Sequence, residues 1–272
     1  MPLPLEDNFN DIVGKAARGQ KLAPSDLAAK TGLSREKVEA VLDGEFDAPA
    51  LRQLAPALGL DAQALVGIAD KSYLPKALEL DGLAQFTTPW EDMMVNNYLV
   101  WDPASRAAAA FDSGADASPL LEEAKKRGLH IQLILITHTH GDHVFDLDRL
   151  REQTKAPAYV GEREPLEGAE GFAAGRTFEL GALKIESRLT WGHSKGGITF
   201  VVRGLAQPVA VVGDAVFAGS MGGGMISYPD ALETNRRELF SLPDETILCS
   251  GHGPLTTVAE EKRHNPFFAK NG

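Results

Sequence analysis

The sequence predicts an α/β protein preceded by a small all-α domain, and three observations carry that expectation. Residues 24 to 66 hold short amphipathic segments separated by glycines. From about residue 85 onward, strand-like runs alternate with helical ones. In the middle of that alternation, directly after the apolar run HIQLILI, stands THTHGDH at 137 to 143, which crowds three histidines and an aspartate into one turn. The boundaries implied are a helical domain at 1–70, a connector at 71–84 and a larger domain at 85–272.

The composition narrows the partners. A hydrophobic fraction of 43% is that of an ordinary globular protein. No apolar run approaches the roughly 20 residues needed to cross a bilayer. The opening MPLPLEDNFN lacks the basic and then apolar pattern of a signal peptide. Cys249 is the only cysteine, which excludes an intrachain disulfide framework and a thiolate metal cluster. A reducing, cytoplasmic setting is expected. The formal charge of -11 argues against nucleic acid or an anionic membrane as a partner.

In the helical part, Ser25 is expected to cap a helix carrying Leu27 and Ala28, which Gly32 ends. Ser34 caps the next, whose buried face is Val38, Val41 and Leu42 and whose stop is Gly44. A third helix runs from about Pro49 to Leu58, and a fourth starts near Asp61. The turn T-G-L-S between the first two resembles the helix-turn-helix of phage-repressor-type DNA-binding domains over residues 10 to 68. That resemblance implies that Arg35 and Lys37 reach bases or phosphates. Residues 1 to 70 nevertheless hold seven Lys/Arg against eleven Asp/Glu, the wrong balance for neutralising phosphates. Association or packing is the better expectation for the helical domain, and pairing of two chains into a homodimer is one form of it.

In the larger domain, VNNYLVW (95–101) and AAAAFD (107–112) are strand-like, joined by DPASR. Asn96 and Asn97 are expected to satisfy backbone groups at the strand start. Ser118 and Pro119 open a helix that Gly128 closes. QLILIT is a buried strand and DLDRLREQT a helix. APAYV, FEL, LKIESRL, ITFVVRG and PVAVVGD are strands. ALETNRRELFSL is a helix, TILCSG a strand and TTVAEEKRH a final helix.

His138, His140, Asp142 and His143 are residue types that zinc and iron accept. A polar surface loop is the plain alternative, but three of the chain's seven histidines fall within these six positions. Three further candidates each stand at a strand end beside a glycine: His193 in TWGHS, Asp214 in VVGDAVF and His252 in CSGHG. Singly, each is an ordinary turn residue. Together they suggest one site, with the glycines leaving room at it.

This ordered pattern, HxHxDH at 138, 140, 142 and 143, then His193, Asp214 and His252, resembles the metallo-β-lactamase fold superfamily over residues 85 to 272. The resemblance implies an αββα sandwich with the ligand loops along one edge. It implies two divalent metal ions, zinc foremost, with iron or manganese as alternatives. His138, His140 and His193 would hold the first and Asp142, His143 and His252 the second. Asp214 would bridge them, and Asp142 is also the residue assigned to catalysis. The segments GDAVFAGSMGGG and GHGPLTTVAEEKRHNPFF resemble glyoxalase II and related hydroxyacylglutathione thioester hydrolases. The implied reaction is attack of a metal-bridged hydroxide on a carbonyl, most simply a thioester. About one net positive charge left at such a centre would draw an anionic small molecule. Two departures stand out: the sequence stops soon after NPFF, where the longer glyoxalase II enzymes continue into a helical domain, and Trp191 occupies a position where the family commonly has proline. The alternatives are a mononuclear iron persulfide dioxygenase, a lactonase or β-lactamase, and a DNA-binding regulator using the N-terminal domain.

Overall fold

The computed structural model describes residues 3–269. Five helices come first: α1 (Phe9–Gly19), α2 (Pro24–Thr31), α3 (Arg35–Leu42), α4 (Ala48–Ala57) and α5 (Ala62–Ala69). Then follow β1 (Leu83–Trp90), β2 (Met93–Trp101), β3 (Ala107–Phe111), α6 (Ser118–Arg127), β4 (His130–Ile136), α7 (Gly141–Val144), α8 (Leu147–Thr154), β5 (Ala158–Gly161) and β6 (Glu170–Phe172). The second half contains β7 (Thr177–Leu180), β8 (Leu183–Leu189), β9 (Ile198–Arg203), β10 (Val209–Gly213), α9 (Tyr228–Glu238), β11 (Ile247–Ser250), β12 (Thr256–Thr257) and α10 (Val258–His264).

The strands form two six-stranded sheets, ordered β1-β2-β3-β4-β5-β6 and β12-β11-β10-β9-β8-β7. Alternation along each strand sends one set of side chains between the sheets and the other outward. Tyr98, Val100 and Phe111 meet Phe200, Val202 and Val211 in the inner layer. Leu99, Trp101 and Ala110 point outward to Leu120 of α6 and Leu147 and Leu150 of α8. On the other outer face, Val201, Ala210, Val212 and Leu248 are covered by Ala231 of α9, Val258 of α10 and the N-terminal helices. The architecture is the αββα sandwich expected, with helices preceding it.

The helix termini follow their caps. Ser34 Oγ accepts from Lys37 N, Asp47 from Ala50 N and Asp61 from Ala64 N. Gly32, at φ 76°, closes α2. Ser25 is not a cap: α2 starts one residue earlier, and the Asp26 carboxylate reaches back to the Ala23 N–H. Five elements go beyond the sequence reading, among them β6 at Glu170–Phe172 and the one-turn helix α7. α1 forms ahead of the first helix read from sequence. β1 begins at Leu83, inside the stretch read as a connector. β12 takes Thr256 and Thr257 from the start of the last helix. The apolar faces of α1 to α5 are covered within the chain: Ile12, Leu27, Val38, Leu51, Leu54 and Leu65 belong to the same cluster as the outer face of the second sheet. Pairing of two chains would need another surface. No helix among the described residues is long and apolar enough to cross a membrane.

Candidate metal centre

The seven sequence-selected side chains converge at one edge of the sandwich. His138 and His140 lie in the loop leaving β4, and Asp142 and His143 lie in α7, the turn that follows it. His193 sits between β8 and β9, Asp214 directly after β10 and His252 directly after β11. Two glycines make the approach possible. Gly213 ends β10 at φ 52°, where a Cβ would meet Thr137 Oγ1 at 2.6 Å. At Gly251 a Cβ would lie 2.1 Å from Asp214 Oδ1.

The inward atoms form two groups. In the first, His140 Nδ1 lies 3.1 Å from His138 Nε2 and 3.0 Å from His193 Nε2. Asp214 Oδ2 lies 3.3 Å from His193 Nε2 and 3.9 Å from His138 Nε2. In the second, Asp142 Oδ2 is 3.3 Å from His252 Nε2 and 3.5 Å from His143 Nε2. Asp214 faces this group too, with Oδ1 3.2 Å from His143 Nε2 and Oδ2 3.5 Å from His252 Nε2.

These spacings fit metal ions. Nitrogen or oxygen ligands set tetrahedrally about 2.0–2.1 Å from an ion stand roughly 3.3 Å apart from each other. The orphaned atoms agree: His143 Nε2 and Asp214 Oδ1 are buried without a hydrogen-bond partner among the described residues, a costly state that a cation would relieve. Asp214 dominates the charge of the group, and a cation would displace the protons it draws onto His143 and His252. Burial would raise the Asp214 carboxyl, but His252 and His143 hold it well below the usual range. Burial would lower His143 and His252, but Asp214 outweighs it and lifts them to about 10 and about 11. Burial, reinforced by neighbouring histidines, keeps His138 and His193 low, hence neutral and able to donate a lone pair.

The outward nitrogens of four histidines are also fixed. His143 Nδ1 donates to Asp112 Oδ2 at 2.8 Å, His193 Nδ1 to Gly223 O at 3.0 Å and His252 Nδ1 to Met94 O at 2.6 Å. His138 Nδ1 lies 3.1 Å from Thr137 Oγ1. Such partners set which ring nitrogen faces an ion. Two buried carboxylates that sequence reasoning did not select organise these loops. Asp112 also accepts from Thr137 N and Oγ1. Glu164 accepts from Thr139 N and Gly196 N, tying the first histidine loop to the His193 loop. Asn96 and Tyr98 of β2 both donate to Ser250 O, and Asn96 also to Gly253 O, so they hold the His252 loop. Two lysines near the ligand loops in sequence do not join the cluster: Lys262 pairs with Asp244, and Lys195 is exposed. Tyr228 packs beneath the Gly-rich loop, against Gly224 and Gly19.

A two-sheet sandwich with histidines and aspartates clustered at one edge is an arrangement that could hold metal ions. The Metallo-beta-lactamase superfamily model matches residues 90–252, and the chain belongs to that superfamily. It is 31% identical over 199 residues to a "Probable metallo-hydrolase" of Streptococcus pyogenes serotype M6, covering 63% of this chain and 84% of that one. It is 28% identical over 198 residues to the hydroxyacylglutathione hydrolase GloC of Haemophilus influenzae, covering 64% of this chain and 92% of that one. Among solved structures, TTHA1623 in a di-iron-bound form superposes with a TM-score of 0.54 at 28% identity, covering 67% of this chain and 99% of that one.

Proposed function

We propose that this protein is a dinuclear metal-dependent hydrolase acting on a thioester carbonyl. The observation that carries the reading is the pair of ligand groups sharing Asp214, whose two oxygens face His143 on one side and His193 on the other. His138, His140 and His193 would hold one ion and Asp142, His143 and His252 the other. Two divalent ions in these positions supply a water deprotonated near neutral pH and positive charge for the developing oxyanion. Asp142 is assigned to the second ion and to catalysis, because its Oδ2 faces both histidines of that group. The buried partners Asp112 and Glu164 keep the ligands in place through the reaction. A thiolate leaves without a proton donor, so the chain needs no further acid. GloC, named as a hydroxyacylglutathione hydrolase, supports the thioester as the first carbonyl to test. Zinc is the first metal to test, and the di-iron form of TTHA1623 places iron beside it.

The complete second group argues against a mononuclear iron oxygenase, and the ion pairs of α3 argue against operator binding. Arg35 pairs with Glu39 at 2.8 Å, and Lys37 lies 3.1 Å from both Glu45 and Asp47. Purification without added metal, followed by metal analysis, oxygen uptake and rates on a thioester, a lactone and a β-lactam, tests the reading. Two metals per chain and preference for the thioester are expected. One iron per chain with oxygen consumption would overturn it.

A further inference from the structure

Seven large hydrophobic side chains are exposed among the described residues, and five of them lie beside the metal centre. They are Met93, Met94, Phe145, Met225 and Ile226, between 39% and 75% exposed. Scattered apolar residues are normal on a surface; a cluster beside a reaction centre is not. Each belongs to a segment anchored to a candidate ligand. The Met94 carbonyl accepts from His252 Nδ1. Phe145 follows His143 by two residues and packs edge-to-face on Trp90, ring centroids 4.8 Å apart. Trp90 pairs with Met93 across the hairpin and stands 3.6 Å from where a Gly141 Cβ would sit. Met225 N donates to Gly223 O, the carbonyl that also takes His193 Nδ1. Ile226 N donates to Gly192 O, next to His193.

Three segments that carry exposed apolar side chains are therefore tied to the candidate ligands: the β1–β2 turn to His252, residue 145 to the His143 turn and residues 225–226 to the His193 loop. Near Gly253 the chain meets Pro4 and Glu6, and a cation close by, Lys15, is committed to Asp7 and to Met221 O. Methionine suits such a rim, because its unbranched thioether adapts to flexible chains.

We propose that this rim seats an alkyl arm of the substrate, so that the preferred thioester carries a medium-length acyl chain rather than a small hydroxyacyl group. The proposal rests on the reading of the centre as a thioester hydrolase. Its test separates the two. Acetate and octanoate are titrated into the metal-loaded protein, and acetyl and octanoyl esters of one small thiol are compared as substrates. Octanoate is expected to bind about 10- to 100-fold more tightly than acetate, with kcat/KM rising by a similar factor from the acetyl to the octanoyl ester. In Phe145→Ser/Met225→Ser both ratios should collapse toward one, while the melting temperature stays put, since both side chains are largely exposed. Equal binding of the two acids, or a double variant that keeps the wild-type ratio, would overturn the rim. Preferential octanoate binding without hydrolysis of either ester would sustain the rim and sink the thioester reading.

Discussion

At the scale of single residues, the side chains that shape the centre are as informative as those that would touch an ion. Asp112 accepts from His143 Nδ1 and from the Thr137 backbone and hydroxyl, so one carboxylate orients a ligand and pins the start of the ligand loop. Asp112→Ala is expected to weaken metal binding by about 10- to 100-fold, measured by competition against a chromophoric chelator. Unchanged affinity would show that the ring holds its orientation without the carboxylate. Gly251→Ala is a harsher change. The added methyl would stand 2.1 Å from Asp214 Oδ1, the oxygen facing His143. The variant should keep its far-UV circular dichroism and lose at least one metal per chain in elemental analysis. The seven ligand candidates were legible in sequence because histidine is scarce in the chain and because they stand in an ordered pattern with glycines nearby at strand ends. Asp112 and Glu164 were not. Asp112 is one carboxylate after an alanine-rich strand, and its partners lie 25 and 31 positions away, so only the fold reveals its work.

At the scale of elements, the loop from Asp214 to Ile226 joins the carboxylate shared by the two ligand groups to the outer nitrogen of His193, and helices hold it from both sides. Lys15 of α1 donates to Met221 O at 2.9 Å and pairs with Asp7, which accepts from Ser220 Oγ. From α10 and its C-terminal end, Glu261 accepts from Gly219 N at 3.0 Å and Asn265 donates to Ser220 O at 2.6 Å. Glu261 is fully buried, and burial pushes its carboxyl up to about 7. Its Oε2 takes two fixed donors, Gly219 N and Asn265 Nδ2. Its Oε1 faces the hydroxyls of Tyr73 and Thr256, which can turn to accept. The folded pKa is raised above the unfolded value near 4.5, so the stabilisation is complete below 4.5 and is lost as pH rises through 7. The loss is on the order of 2–3 kcal/mol. Glu261→Gln copies the neutral form, and the difference in melting temperature between wild type and variant should therefore shift in the variant's favour from pH 4.5 to pH 7.5. A constant difference would mean that the carboxyl titrates normally. The strands missed in sequence were missed for different reasons. β1 is an edge strand with Pro89 and mostly half-buried residues, so it shows neither an apolar run nor clean alternation. β12 is only two residues long.

At the scale of the whole molecule, the alternation of strands and helices and the ordered ligand motifs made the sandwich legible. The relation between the helical part and the sandwich was not, because an amphipathic helix announces that it has a partner without naming it. The structure gives the partner as the outer face of the second sheet together with α9 and α10. Val201, Val212 and Leu248 share one cluster with Ile12, Val13, Leu54, Leu65 and Ile68. A fully buried Val, Leu or Ile contributes roughly 1.5–3 kcal/mol, so uncovering several at once would consume the 5–15 kcal/mol by which a typical domain is stable. Removal of residues 1–70 also takes away Lys15 and Asp7, two of the groups holding the loop beside His193. The truncated chain is expected to aggregate or to melt at least about 10 °C lower, and any soluble fraction should bind metal more weakly. Analytical ultracentrifugation, thermal melts and chelator competition on the 71–272 fragment check this. A monomeric fragment with the melting temperature and metal affinity of the full chain would show that the helices merely rest on the sandwich. In that case the continuity of the core would be a matter of contact without mutual support.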